Sequence, residues 1–286
     1  MSIHYDNNTV KEYVKEQKQL LKEEIDTCYN KYHKHPTLGI LQVGNNSSSN
    51  SYVKGKLKDC EEVGIIAKHH KLEETITEEE LLEYINIYNN LYDGVIVQLP
   101  LPKHINVKKV QLAINPKSDV DGFHPMSEFK PCTPLGVINF LKSQNYDFEG
   151  KNAVVIGRSD CVGKPLAQML TDLNATVTLC HSKSDCNIYT EIADIIFTCI
   201  NKIEYFSSRD LEKGGLFIKY PYDVIDIGLG VGTDGKLHGN LQQSAIQDLR
   251  EYSDERTNVV SGIGGVGLLT RLTLLENTFK AFKNNL

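Results

Sequence analysis

The sequence predicts an α/β protein of two domains, and three observations carry that prediction. Short apolar runs alternate with amphipathic helical patterns along most of the chain, the signature of parallel sheets with right-handed crossovers. Several of the runs are largely apolar, such as "DGVIVQLP", "NAVVIG" and "DVIDIG", as expected for buried strands. The length of 286 residues accommodates two cores.

Taken in order, residues 9–34 read as a long amphipathic helix with Thr9 as cap and Pro36 beyond its end. Residues 37–43 form a strand, 49–63 a helix closed by Gly64 in a left-handed cap, and 65–72 a second strand. Thr77 and Glu80 make a capping box for helix 78–90. Residues 93–102 read as a buried strand stopped by Pro100 and Pro102, and Thr133 caps a helix beginning at Pro134. Strands follow at 152–157, 175–181, 194–200 and 223–228, then a turn and short edge strand over 234–239, and helix 267–283 closes the chain. The two α/β units divide near the helix 134–145.

Composition narrows the function. A net charge of −6 argues against nucleic-acid binding driven by bulk charge. No apolar run reaches the roughly 18 residues of a membrane span, and the polar N-terminus does not read as a signal peptide. The 7 cysteines show no CxxC and no zinc spacing, and their odd number disfavours a disulfide framework, which points to a reducing cytoplasm.

Three stretches carry chemistry. In "VVIGRSDCVGKPLAQML" a strand runs through Gly157 into a helix. Gly157 permits a tight turn, and Gly163 permits close approach of backbone or ligand. The free N–H groups of the helix start would receive a phosphate. A P-loop is excluded, because the glycine spacing is wrong and Pro165 stands where the hydroxyl that binds magnesium is required. Ser159 replaces the second glycine of the standard dinucleotide fingerprint, so an ordinary strand–helix turn stays open. The following strand ends in Cys180, His181, Ser182 and Lys183, with no carboxylate to hold a ribose 2′-hydroxyl. Arg158, Ser182 and Lys183 favour a 2′-phosphate, hence NADP over NAD.

In "SNSYVKGKLKDCEEVG", Tyr52, Lys56 and Asp59 run along the margin of a stripe made by Val53, Leu57, Cys60 and Gly64. A desolvated lysine at such a margin suits proton transfer, while a snorkelling lysine beside a half-buried tyrosine is the alternative. Gln98 ends an apolar strand at the carboxyl edge, where ligands of α/β proteins bind. Asp119 and Asp121 lie in a glycine-containing loop that reads as a turn or a weak cation site; without a third ligand at suitable spacing, no metal is expected.

These segments, with "DVDGFHP", "PCTPLGV", "TVTLCHSKS", "VIDIGLG" and "GGVG..T...LLENT", resemble in order the bifunctional FolD-type family of methylenetetrahydrofolate dehydrogenase/methenyltetrahydrofolate cyclohydrolases. The resemblance covers about residues 37–280. It implies a folate-binding catalytic domain of 1–137 plus 269–286, with the last helix packing back on it, and a Rossmann-like NADP-binding domain of 138–268. It also implies a cleft between the two domains and a homodimer joined through the cofactor domains. Lys56 is then the proton-transfer group, Gln98 its hydrogen-bond partner, Tyr52 the ring packed on the folate, and Asp121 the acceptor of pterin N–H groups. Gly157, Arg158, Ser159, Gly163, Ser182 and Leu229 fall at the cofactor, and Gly264 and Gly265 at the substrate. The substrates would be one-carbon derivatives of tetrahydrofolate. Rivals are a single-activity member, a non-catalytic folate or nucleotide binder, and a shikimate-type dehydrogenase, the last disfavoured by "SYVKGK" and "QLPLP".

The chain departs from the family pattern at its glycine loop. Ser261, Ile263 and Leu268 replace three prolines, which frees φ and restores backbone donors. Asn240 stands in place of an aspartate, and the "MSEFK" segment is short. Cofactor preference, folate affinity or one of the two activities is where these changes would tell.

Overall fold

The computed structural model describes residues 5–203, 223–232, 234, 236–251 and 258–286. The described residues form two compact units: one from 15–132 and 271–286, here the first unit, and one from 1–14 and 133–270, the second.

Helix α1 (Asn7–Tyr32) belongs to the second unit up to residue 14 and to the first unit beyond it. Its cap is Asp6, not Thr9: the Asp6 carboxylate accepts from the N–H groups of Asn8 at 2.8 Å and Thr9 at 3.0 Å. Thr9 answers as the third residue of the helix, its hydroxyl accepting the Asp6 N–H at 3.3 Å.

The first unit continues with β1 (Thr37–Val43), α2 (Ser47–Val63), β2 (Ile66–Leu72), α3 (Glu78–Leu91), β3 (Gly94–Gln98) and α4 (Val107–Ala113). Its parallel sheet has the order β2-β1-β3. The alternation of β1 divides the core. Leu38 and Ile40 pack with Val53 and Cys60 of α2, whereas Leu41 and Val43 pack with Leu81 and Ile85 of α3. Gly64 ends α2 at φ 89°, and the capping box of Thr77 and Glu80 opens α3. The strand expected over 93–102 stops at Gln98, since the proline-bearing segment that follows cannot continue a ladder. Helix α4 was not foreseen; Asn106 caps it by accepting from Lys108 and Lys109 N–H groups.

In the second unit come α5 (Cys132–Ser143), β4 (Asn152–Ile156), α6 (Gly163–Thr171), β5 (Thr176–Cys180), α7 (Cys186–Thr190), β6 (Ile195–Thr198), β7 (Asp223–Asp226), β8 (Leu229–Val231), β9 (Leu237–Gly239), α8 (Gln243–Glu251) and β10 (Val259–Val260). The parallel sheet has the order β10-β7-β6-β4-β5. The chain leaves β4 for one side and then crosses to the other, so the carboxyl end of β4 is the switch point of the sheet. The expected edge strand over 234–239 is β9, antiparallel to β8; Gly235 of its turn lies outside the described residues. The wide turn Gly262–Val266 leads into α9 (Gly267–Asn284).

The partition differs at both ends of the chain from 1–137 plus 269–286. The start of α1 is tied to the second unit because Tyr5 is buried against Phe140, ring centroids 5.8 Å apart, and its N–H donates to Asn258 Oδ1 at 2.7 Å. The closing helix does pack on the first unit: Leu274, Leu275, Phe279 and Phe282 share the cluster of Leu38 and Ile40. No helix among the described residues is long and apolar enough to cross a membrane.

Candidate active site

The predicted site residues fall into two groups, one in each unit. In the first unit, α2 starts at an Asn46 cap whose side chain accepts from Ser49 N–H, and it buries Val53, Cys60 and Val63. Lys56 is buried as well, only 6% exposed, deeper than a marginal position requires. Its Nζ donates to Gln98 Oε1 at 3.0 Å. Gln98 is the last residue of β3, and its Nε2 donates to the Leu99 carbonyl at 2.9 Å. That carbonyl also accepts from the Ser49 hydroxyl at 3.1 Å. The carboxamide is thereby fixed with its oxygen toward the amine, because the opposite flip would set donor against donor.

The two loop carboxylates have different surroundings. Asp119 is fully buried; its Oδ2 accepts the His124 N–H at 2.6 Å and its Oδ1 has no partner. Burial pushes its carboxyl up to about 6. Asp121 is only half-buried, which leaves its carboxylate the reachable one of the pair. Gly122, at φ +68°, lets the loop turn; a Cβ there would lie 2.5 Å from Pro131 N. Tyr52 is half-buried nearby. Burial raises its phenol above the ordinary value, Arg271 opposes the shift, and Asp121 adds to it. Among the described residues no group of three or more His, Cys, Asp or Glu side chains is placed to hold a metal ion.

Arg271 escaped the sequence reading. Its Nε lies 3.0 Å from Asp59 Oδ2, and Lys18 Nζ lies 2.6 Å from Asp59 Oδ1. These pairs hold α9 and α1 against α2 at the level of Lys56. A signal was present: Gly55 sits inside a helix, where glycine costs about 1 kcal/mol relative to alanine. A Cβ at 55 would strike the Arg271 guanidinium.

The second unit places its group at the carboxyl ends of β4 and β5. Gly157 turns the chain at φ +124°, and a side chain there would strike the Cys199 carbonyl. A Cβ on Gly163 would strike the Gly157 carbonyl, so both glycines serve one close backbone approach. Helix α6 begins at Gly163, and the Ser159 hydroxyl accepts from the N–H groups of Val162 at 3.2 Å and Gly163 at 3.3 Å. Arg158, Ser159, Ser182 and Lys183 are exposed. The turn carrying Ser182 and Lys183 is shaped by His181, whose N–H donates to Ser184 Oγ at 3.1 Å and whose Nδ1 accepts the Lys183 N–H at 3.2 Å. Exposed cations and hydroxyls beside a glycine turn at the switch point are the donor set that a phosphorylated dinucleotide requires.

Leu229 lies against Gly262, where a Cβ would sit 2.8 Å from Leu229 Cδ2. Gly264 and Gly265 lie in the same unit. Asn240 is buried and works as a backbone clasp: its Oδ1 accepts Ile200 N–H at 3.1 Å and its Nδ2 donates to the Ile200 carbonyl at 2.9 Å. Aspartate has no donor for that second bond. Asp226, fully buried, accepts from Thr198 Oγ1 at 2.6 Å, Asn240 N–H at 3.1 Å and Leu241 N–H at 3.2 Å. Burial nonetheless pushes its carboxyl up to about 6.

Fold and site thus define a two-unit α/β protein with a buried Lys–Gln pair in one unit and a dinucleotide-type glycine turn in the other. Models of the tetrahydrofolate dehydrogenase/cyclohydrolase catalytic domain and NAD(P)-binding domain match residues 9–121 and 131–286. "Bifunctional protein FolD" of Ruminiclostridium cellulolyticum is 42% identical over 274 residues, 91% of each chain. Among solved structures, the bifunctional FolD methylenetetrahydrofolate dehydrogenase/cyclohydrolase of Campylobacter jejuni superimposes with a TM-score of 0.87 at 36% identity, covering 99% of this chain and 100% of that one. The Trypanosoma brucei dehydrogenase-cyclohydrolase, complexed with NADP cofactor and inhibitor, gives 0.86 at 27% identity, covering 96% of each chain. The chain belongs to the tetrahydrofolate dehydrogenase/cyclohydrolase family.

Proposed function

We propose that this protein oxidises 5,10-methylenetetrahydrofolate to the 5,10-methenyl form with NADP and hydrolyses that product to 10-formyltetrahydrofolate, a bifunctional step of one-carbon metabolism. The observation that carries the reading is the buried Lys56 amine, held at 3.0 Å by a Gln98 whose own orientation is locked. NADP supplies the acceptor for the hydride that leaves the methylene carbon. Gly157 and Gly163 would let the backbone approach it, Arg158, Ser159 and Ser182 would hold its phosphates, and Leu229 would lie beside it.

On the folate side, the Tyr52 ring packs against the pterin, and the Asp121 carboxylate accepts its amino and ring N–H groups. Gly264 and Gly265 contact the same substrate. These contacts place the one-carbon centre at the Lys56 amine one helical turn from Tyr52. In the hydrolytic step water attacks the methenyl carbon and Lys56 takes the water's proton; the bond from that carbon to N5 then breaks, N5 leaves with the proton that Lys56 returns, and Gln98 keeps the amine aimed. The protein works in the cytoplasm as a homodimer joined through the cofactor units.

The test is spectroscopic. With NADP and methylenetetrahydrofolate, the purified protein should build up the methenyl absorbance and then discharge it. A preparation that binds both ligands and never forms the methenyl species would overturn the proposal. Decay at the uncatalysed rate would leave a dehydrogenase alone.

A further inference from the structure

The three prolines absent from the glycine loop leave a question of what shapes it. The answer lies 254 residues away, at the first residue of α1. The Asn7 carboxamide closes on the loop: its Oδ1 accepts the Ser261 N–H at 2.9 Å, and its Nδ2 donates to Ser261 Oγ at 2.6 Å and to the Ile263 carbonyl at 2.9 Å. The Ser261 hydroxyl in turn donates to the Ile263 carbonyl at 3.2 Å. The orientation of the amide is unambiguous, since only its oxygen can meet a backbone N–H. Asn7 is itself held, following the Asp6 cap and the buried Tyr5.

The loop so held keeps a negative φ at both positions without proline. Ser261 has φ −91° and Ile263 has φ −82°, each just beyond the range of about −65 ± 15° that a pyrrolidine ring enforces, so a ring at either position asks for only a modest rotation. Gly264 follows at φ +73°, and a Cβ on Gly265 would lie 2.6 Å from Asn7 Oδ1. The Ser261 N–H, which a proline lacks, is the donor that Asn7 receives.

We propose that Asn7 is a positioning residue for turnover: its side chain fixes the turn 262–265 in the shape that receives the folate substrate, the task a covalent ring performs where proline occupies position 261. The inference rests on the reading of Gly264 and Gly265 as substrate contacts.

The test is the pair Asn7→Ala and Asn7→Ala/Ser261→Pro in the full-length protein. Three readouts are followed: kcat and KM for methylenetetrahydrofolate, the Kd for NADP, and amide hydrogen exchange over 261–266. Asn7→Ala should lower kcat/KM for the folate about tenfold and speed exchange in that segment, with NADP affinity unchanged. The double variant should recover to within about threefold of wild type, because the ring restores φ and removes the donor that lost its acceptor. Unchanged exchange in Asn7→Ala overturns the proposal, and so does faster exchange with unchanged kcat/KM. A loss that Ser261→Pro does not relieve also overturns it. If the wild-type protein itself fails to turn over, the proposed function is what fails, and exchange still decides whether Asn7 holds the turn.

Discussion

In the first unit Lys56 is 6% exposed and its partner amide is pinned at both ends, so three side chains and a carbonyl make one connected network. In the second unit, Arg158, Ser159, Ser182 and Lys183 stand exposed, and the fixed geometry comes from glycine backbone at 157 and 163. The contrast separates two tasks. Proton transfer needs one group held at a defined distance in a dry setting, which burial and hydrogen bonds provide. Holding a phosphate needs space, free N–H groups and charge, which backbone and mobile cations provide. The first site should therefore fail through loss of a single atom's chemistry, and the second through steric intrusion or a change of charge.

The largest expected effect is at Lys56. Lys56→Met should cut methenyl hydrolysis by about 10²–10⁴-fold, the usual contribution of a positioned acid–base group. Stopped assays on purified methenyltetrahydrofolate measure it, and hydrolysis near the wild-type rate would remove Lys56 from the chemistry. Next comes Gly163→Ala, which drives a methyl group into the Gly157 carbonyl, a backbone atom that cannot rotate away. A loss of about 3 kcal/mol in urea denaturation is expected, together with weaker NADP binding. An alanine variant of full stability would show that the approach of strand and helix is looser than described.

Two fully buried aspartates sharpen the comparison, one lying in each unit. Asp119 and Asp226 are both pushed up to about 6 by burial, from 3.8. A raised carboxyl favours the neutral form in the fold. Its stabilising contribution is therefore complete below about pH 4 and is lost as the pH rises through about 6, at about 2–3 kcal/mol for each group. Asp119→Asn and Asp226→Asn should each flatten the decline in stability between pH 4 and 7, read from urea midpoints at several pH values. A slope equal to that of wild type would mean these carboxyls titrate normally. The smallest effect is expected at the exposed group. Ser182→Glu should weaken NADP by about tenfold while leaving NAD within a few-fold, and equal losses for both cofactors would place the 2′-phosphate elsewhere.

Much of this was legible in the chain. β1 runs over the residues its pattern marks, and Gly64 and the Thr77/Glu80 box end and begin helices where local chemistry places them. Such features are local, and their physics acts within a few residues. The Lys56–Gln98 pair was legible only in part. Periodicity put Lys56 beside the apolar stripe, yet its burial and its partner at the end of β3 come from tertiary packing. Thr9 reads as a cap, but Asp6, three residues before it, accepts from the N–H groups of Asn8 and Thr9 and caps the helix instead.

By itself the sequence determined the alternating architecture, the strand ends that carry Gln98 and Gly157, and the absence of the oxygen ligand a P-loop requires, because these follow from side-chain period and from what each residue type can donate. Only the tertiary structure decided which of two loop carboxylates stays reachable, which arginine lies where a side chain on a helical glycine would sit, and which residue shapes a loop that lacks its prolines. The last two answers depend on groups brought together from distant parts of the chain, Gly55 with Arg271 and Asn7 with Ser261, and no local pattern encodes a contact spanning 254 residues.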